Sequence, residues 1–462
     1  MDYSILIYIN VESEEGFRMN CFAKSNDFKD FLKDYDAVII NDGYNMHYLS
    51  GYSGHEGCLL CVNNSFDGSF AYSGYLLTDS RYTEVACKEA PDFLCVDIAG
   101  VSYENAIKKL CILHSLKTYV EYSNVVSGAI DESAGIRILH IKDLTNFGED
   151  RKLGEGDDFG EDRKLGEGDN FGEDRKLGEN DDFGEDYKVG FENEIISYKQ
   201  FKKLNEVMGK NVVLAELDEK VNSFRQIKCE EELGNIKEAE AIGDKAFGYI
   251  VDHLRISKHI ITSNNMTEMD VAMKLENFMK KHGASALSFD TICASGINSS
   301  MPHAVPTTKA LSDGDFLTMD FGCIFNGYCS DMTRTVYIGE NPDKEKIDVY
   351  NTVLLAQTEA LKAIKPGAKC SDVDKIARDI IANAGYGKYF GHGLGHSVGL
   401  YIHEEPRLSP KCDVILKPGM TMTVEPGIYL PGKFGVRIED LVVVTEDGYK
   451  NLTNSPKELI CI

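Results

Sequence analysis

Four carboxylates lie inside apolar runs near the C-terminal end of this chain. Asp320 sits in FLTMDFG, Asp331 in CSDMTRT, Glu425 in TMTVEPG and Glu439 in VRIEDL, with His396 between the pairs in GHGLGHS. An unpaired buried carboxylate costs several kcal/mol. A fold that buries these runs must therefore bring the carboxylates onto something positive. The flanking turns indicate how. Asn326-Gly327, the strongest short hairpin signal, separates Asp320 from Asp331. With those two residues as the loop, Asp320 faces Thr333, and Asp331 stands two residues away on the same face. Such diagonal neighbours are about 7–8 Å apart at the backbone, and their carboxylates can converge on metals ~3.5–4 Å apart. A slip of one residue would separate them. Glu425 and Glu439 flank LPGKFG with Gly432 midway, so an odd-length loop centred there sets them opposite each other. The glycines around His396 allow close backbone approach.

Four carboxylates balance two divalent cations, the equipment of a hydrolase that activates water with a metal pair. Carboxylate-rich ligation with a single imidazole suits Mn²⁺ best, and the same donors accept Co²⁺, Zn²⁺ or Fe²⁺. His303 (SSMPHAVP), His392 and His403 (YIHEEP) stand near the ligand segments and could donate hydrogen bonds to a developing oxyanion or hold a substrate carbonyl. Arg437 precedes Glu439 by two residues, shares its strand face and could orient the carboxylates.

At 462 residues the chain is long enough for two domains. A net charge of −26 argues against binding to nucleic acid or to an anionic membrane. No apolar stretch is long enough for a transmembrane helix. The start, MDYSILIYINVESEEGF, reads as a strand rather than a signal peptide. The 13 cysteines lack a framework spacing, which fits free thiols in a reducing, cytoplasmic setting. Cys58 and Cys61 have C-x-x-C spacing, but within a strand-like run they read as core packing.

A repeat of period 12, FGEDRKLGEGDD, begins at Phe147 and recurs at Phe159, Phe171 and Phe183. Residues 147–186 hold 16 acidic and 6 basic residues and show neither helical nor strand period. The segment reads as a disordered acidic insertion, matching neither an EF-hand loop nor the nonapeptide pattern. Deleting 147–186 is expected to leave soluble yield and turnover largely intact; loss of soluble protein would contradict that reading.

Around the insertion, residues 1–146 alternate strands (36–40, 57–62, 74–80) with a helix over 102–116. Residues 187–224 complete this α/β domain, with a helix over 198–208, and lead out of it. Residues 225–462 form a second domain. Helices are expected over 230–254, 267–281, 343–363 and 371–384, with strands over 289–294, 315–325 and 328–338. Helices and antiparallel hairpins in this order mean α+β.

The second-domain segments RQIKCEEEL, SFDTICASG, MPHAVP, MDFGCIFNGYCSDMTRT, FGHGLGHSVGLYIHEEP and TVEPGIYLPGKFGVRIED resemble the pita-bread metallopeptidase family, which includes Xaa-Pro aminopeptidases, prolidases and methionine aminopeptidases. DAVIINDGYNMHYLSGYSGHEGCLL and LLTDSRYTEVA resemble the creatinase-type N-terminal domain of the proline-specific branch. Methionine aminopeptidases lack that domain, and creatinase lacks the metal ligands. The resemblance implies a pita-bread catalytic domain behind a creatinase-type domain. It implies that Asp320 binds one metal, Asp331 and Glu439 bridge both, His396 binds the first, and Glu425 binds it or helps bridge. A hydroxide between the metals would attack the carbonyl before proline. Glu425 would also resemble the family's general acid/base, His303 and His403 its stabilisers of the tetrahedral intermediate, and His392 a substrate-side histidine. A homodimer is implied too. The first expectation is an aminopeptidase acting on peptides with proline at the second position. The near alternative is an Xaa-Pro dipeptidase, and the alternative of another class is a noncatalytic binding module on the same fold.

Overall fold

The computed structural model describes residues 26–54, 56–63, 72–115, 130–131, 138–141, 187–258, 261 and 266–462. The strand expected at the start of the chain and the repeats 147–186 lie outside them. Backbone contacts divide the chain into two units, Met1–Glu219 and Lys220–Ile462.

The first unit is built on one mixed sheet of β1 (Ala37–Ile40), β2 (Cys58–Asn63), β3 (Tyr72–Thr78), β4 (Leu94–Asp97), β5 (Ile130–Asp131), β6 (Ile138–His140), β7 (Tyr187–Phe191) and β8 (Val212–Glu216). The order across it is β5-β6-β4-β3-β2-β1-β7-β8. Consecutive strands β1, β2 and β3 pair antiparallel, whereas β3 with β4 and β7 with β8 pair parallel. Each of these parallel pairs is separated in sequence by a helix, as a crossover requires. The helices are α1 (Asn26–Leu32), α2 (Gly43–Ser50), α3 (Thr83–Glu89), α4 (Tyr103–Ser115) and α5 (Tyr198–Met208). α5 opens with a capping box between Ser197 and Gln200, which fixes its start. Leu110 of α4 and Leu204 of α5 pack with Ile39, Leu60, Leu77 and Val96 of the sheet in one buried core. Cys58 and Cys61 are buried free thiols of β2. Three residues apart on a strand, they point to opposite faces, so they pack rather than pair.

The second unit contains α6 (Lys220–Phe224), α7 (Glu230–Ile256), α8 (Glu268–Lys281), α9 (Lys344–Ala363) and α10 (Cys370–Asn383). Its strands are β9 (Ala286–Leu287), β10 (Ile292–Ser295), β11 (Phe316–Phe321), β12 (Cys323–Phe325), β13 (Tyr328–Cys329), β14 (Met332–Tyr337), β15 (Gly395–Ser397), β16 (Glu404–Leu408), β17 (Thr421–Val424), β18 (Gly427–Leu430), β19 (Phe434–Arg437), β20 (Asp440–Val444) and β21 (Tyr449–Asn451). Among the described residues its strands pair antiparallel, the α+β arrangement expected. Two helix pairs each build a core against the strands. Ile242, Ala246 and Ile250 of α7 with Val271 and Leu275 of α8 pack on Leu317, Met319 and Phe321. Val353 and Ala360 of α9 with Val373 and Ala377 of α10 pack on Phe316, Val424, Ile428 and Val436. Residues of β11 thus alternate between the two cores, and Asp320 lies on the face of Phe316 and Thr318.

The hairpin registers follow the expected parity. Asn326-Gly327 is a two-residue loop, both residues with positive φ (48° and 85°), between the pairs Phe325–Tyr328 and Ile324–Cys329. Asp320 faces Thr333. In the second hairpin Leu430 faces Phe434 and Val424 faces Asp440, so the register centres on Gly432. Between those ladders Glu425 and Glu439 leave each other's backbone. The Glu425 N–H donates to the Leu394 carbonyl at 2.8 Å and the Glu439 N–H to the Thr333 carbonyl at 3.1 Å. Those two bonds join the β17–β20 hairpin to the segment before His396 and to β14.

Candidate metal centre

Oxygens of Asp320, Asp331 and Glu439 lie within 4.8 Å of one another. His396 joins them, its Nε2 being 3.5 Å from Asp331 Oδ2 and 3.5 Å from Glu425 Oε1. All five expected ligands thus meet in one place. Gly395 is why His396 can enter: a Cβ there would sit 2.0 Å from the Thr423 carbonyl. The His396 Nδ1 lies 3.1 Å from the Ser397 carbonyl. A carbonyl only accepts, so Nδ1 carries the proton and Nε2 presents its lone pair to the carboxylates. Burial lowers the His396 pKa to about 3, which keeps the ring neutral and ready to ligate.

The carboxylates are held for a cation rather than for one another. Burial, then the charges of Glu439, Asp320 and Glu425, push the Asp331 carboxyl well above the usual range. Burial, then Glu425 and Asp320, do the same to Glu439. Burial pushes Glu425 up to about 8, with Arg437 opposing and Asp320 adding to the rise. Asp320 Oδ1 and Glu439 Oε1 are buried and accept no hydrogen bond from the protein. A buried oxygen without a donor is costly unless it ligates a cation. Hard oxygen donors, one neutral imidazole and two orphaned oxygens fit divalent metal.

The other oxygens are fixed by neighbours. Arg437 Nη2 donates to Asp320 Oδ2 at 2.6 Å, Nε to Thr333 Oγ1 at 3.0 Å and Nη1 to the Tyr429 hydroxyl at 2.8 Å. The Thr333 hydroxyl donates to Glu439 Oε2 at 2.6 Å. Arg437 therefore grips Asp320 directly and reaches Glu439 only through Thr333. Thr423 Oγ1 donates to Glu425 Oε1 at 3.3 Å and accepts the His396 N–H at 3.0 Å.

The three further histidines are placed differently. The His403 ring stacks edge-on to His396 with centroids 4.7 Å apart. His392 has both ring nitrogens engaged, one with the Gly393 carbonyl at 2.8 Å and the other with the Tyr429 hydroxyl at 3.0 Å, so it stands behind Arg437 rather than on a carboxylate. His303 is exposed, next to Pro302, whose carbonyl accepts from Arg437 Nη1 at 3.2 Å. Burial first lowers the pKa of His392 and His403, helped next by Arg437 at His392 and by Arg407 at His403.

Several residues that shape the site were not singled out from sequence. Thr333 was legible, since hairpin parity already placed it opposite Asp320. Tyr429 was not. Nor was Glu240, fully buried on α7, which accepts from the Thr453 hydroxyl at 2.6 Å and from the Asp331 N–H at 3.3 Å. Lys228 and Glu404, buried and 3.0 Å apart, tie Ser397 to the segment that follows His403. A charged residue in helical or strand period reads as exposed until its partner is known.

Residues 32–126 match the creatinase/prolidase N-terminal domain, and residues 234–446 match metallopeptidase family M24. The Xaa-Pro dipeptidase of Pyrococcus furiosus is 44% identical over 262 residues, spanning 57% of this chain and 69% of the relative. Among solved structures, the X-Pro aminopeptidase of Thermotoga maritima MSB8 superposes with a TM-score of 0.70 at 31% identity, covering 94% of this chain and 100% of that one. The Xaa-Pro dipeptidase of Bacillus anthracis gives a TM-score of 0.70 at 32% identity, covering 94% and 98%. The expected architecture, a creatinase-type domain before a pita-bread domain, is the one these matches carry. With these segments on that fold, the chain belongs to metallopeptidase family M24, enzymes that use divalent metal to hydrolyse peptides.

Proposed function

We propose that this enzyme hydrolyses Xaa-Pro dipeptides, a prolidase activity, with two divalent ions held by Asp320, Asp331, His396, Glu425 and Glu439. The observation that carries the reading is the pair of orphaned buried oxygens, Asp320 Oδ1 and Glu439 Oε1, inside a cluster of four carboxylates and a neutral imidazole. Mn²⁺ suits these donors best. When bound, the ions supply Lewis acidity and a water acidic enough to attack at neutral pH. The residues of the chain do the rest. Arg437 and Thr333 hold Asp320 and Glu439 in place. Glu425, whose carboxyl lies near neutrality, takes and returns the proton. His403 and His303 face the reacting carbonyl from the exposed side. His392 acts through Tyr429 on Arg437.

The sequence alone placed an aminopeptidase first. The relatives named as Xaa-Pro dipeptidases reverse that order. The aminopeptidase remains the second reading, supported by the T. maritima structure. The two differ in whether the pocket accepts a chain beyond proline. With Mn²⁺ supplied, an Xaa-Pro dipeptide is expected to be cleaved far faster than an Xaa-Pro-Xaa tripeptide. Comparable cleavage of the tripeptide would select the aminopeptidase, and no cleavage of either would select the binding module. Among the described residues no helix is long and apolar enough to cross a membrane. Buried free thiols such as Cys58, Cys61 and Cys293 support a cytoplasmic location, and a homodimer is the family expectation, checked by sedimentation.

A further inference from the structure

Helix α8 begins with a carboxylate that its own cap does not use. The Thr267 hydroxyl accepts the Asp270 N–H at 3.2 Å, and Asp270 Oδ2 accepts the Thr267 N–H at 2.8 Å, which closes the capping box. Glu268 is then free to turn inward, where it is fully buried. There it gathers donors from two separate stretches of chain. Oε1 accepts from the Ser295 N–H at 2.6 Å and hydroxyl at 2.8 Å. Oε2 accepts from the Thr307 N–H at 3.1 Å and hydroxyl at 2.6 Å. Asn298 Nδ2 spans both oxygens at 3.1 Å.

Ser295 ends β10, and Thr307 follows the MPHAVP segment. One carboxylate therefore draws together the two ends of the loop that carries His303. The middle of that loop is held by a different residue. Arg437 Nη1 holds the Pro302 carbonyl at 3.2 Å while Nη2 holds Asp320. Gly435 lies so close to the loop that a Cβ would be 2.0 Å from the Ser299 carbonyl. The loop is held at both ends and near its centre, and His303 stands one residue beyond the central hold. Burying a carboxylate is expensive unless its lone pairs are filled, and here every lone pair goes to loop closure.

We propose that Glu268 is a positioning residue for the peptidase reaction: by tying Ser295 to Thr307 it fixes His303 beside the Asp320–Arg437 pair. This rests on the reading that His303 faces the reacting carbonyl. The test is Glu268→Gln, which keeps the volume. Its amide NH₂ cannot accept from a backbone N–H, so one end of the loop loses its side-chain anchor to α8. On an Xaa-Pro dipeptide kcat is expected to fall on the order of 10-fold to 100-fold, as a small displacement of a catalytic group does. KM and bound Mn²⁺ should stay near wild type. In a His303→Ala background the same change should cost nothing further, because one residue acts through the other. Losses that multiply in the double variant, or unchanged kcat in Glu268→Gln, would overturn the proposal. Should Glu268→Gln not fold, Thr307→Val removes one donor hydroxyl, keeps the backbone N–H, and should lower kcat less but in the same parameter. The NMR resonance of the His303 ring, in protein loaded with diamagnetic Zn²⁺, gives a readout independent of turnover. It should shift or broaden in Glu268→Gln, and an unchanged resonance overturns the proposal. If the wild-type protein cleaves no Xaa-Pro peptide, the functional reading fails while the resonance still decides the positioning one.

Discussion

Glu425→Gln is expected to lower kcat by ~10²–10⁴-fold while the protein stays folded. In the proposed reaction Glu425 is the proton carrier. Burial pushes it up to about 8, Arg437 pulls it back and Asp320 pushes it further. A carboxyl balanced near neutrality can both accept a proton from water and return it to the departing amine. Gln keeps the volume and one oxygen but carries no such proton. The fold should tolerate the change, because the backbone bond from the Glu425 N–H to the Leu394 carbonyl and the adjoining ladder are untouched. Steady-state kinetics on an Xaa-Pro dipeptide, with bound metal measured alongside, separates loss of the proton carrier from loss of metal. Near-normal turnover would remove Glu425 from its assigned role.

Stripping the metal should destabilise the protein most at alkaline pH. Asp331, Glu439 and Glu425 all have pKa values raised by burial first and mutual repulsion second, although Arg437 opposes this at Glu425 and Glu439. A carboxylate raised in the folded state binds a proton there that the unfolded chain, with values near ~4.3, releases. Folding then takes up protons, so stability rises as pH falls through the folded value. For Glu425 this begins at about 8, and each such group contributes up to ~1.4 kcal/mol per pH unit. Below pH ~6.5 the trend is opposed, because His396 and His392, lowered to about 3 and about 4 by burial, resist the protons that unfolded histidines accept. Chelated protein should therefore melt higher at pH 6.5 than at pH 8. Mn²⁺ should raise the melting temperature at both, and more at pH 8, where protons compete less. Thermal melts of chelated and Mn²⁺-loaded protein at the two pH values check this. A chelated protein more stable at pH 8, or one indifferent to Mn²⁺, would contradict a site built for cations.

How much of this was legible in the sequence can be judged from particular residues. Asn326-Gly327 needs positive φ at both positions, a local property, and it fixed the register that puts Thr333 opposite Asp320. Gly432 did the same for Glu425 and Glu439. The helices α5, α7, α8, α9 and α10 were readable within a residue or two from apolar period and caps, because a helix is stabilised within its own segment. Those local rules gave the donor set and the parity that makes each pair of carboxylates converge.

Which hairpin meets which, and who holds each oxygen, depends on contacts between separate segments, from 8 to 117 positions apart. Arg437 chooses Asp320 rather than its strand neighbour Glu439, Tyr429 stands between Arg437 and His392, and Glu240 backs Asp331 from the middle of a helix. Glu268 has the position of an ordinary first-turn acid, suited to the helix dipole, but Thr267 and Asp270 complete the cap without it. The sequence by itself determined which residues are proposed to carry the metal chemistry and the side of each hairpin they occupy, since periodicity and turn conformation are local. Only the tertiary structure decided which buried charges are partnered and which oxygens are left for a cation. A polar group's cost or use in the interior is set by the donors that packing brings to it, and no local pattern encodes them.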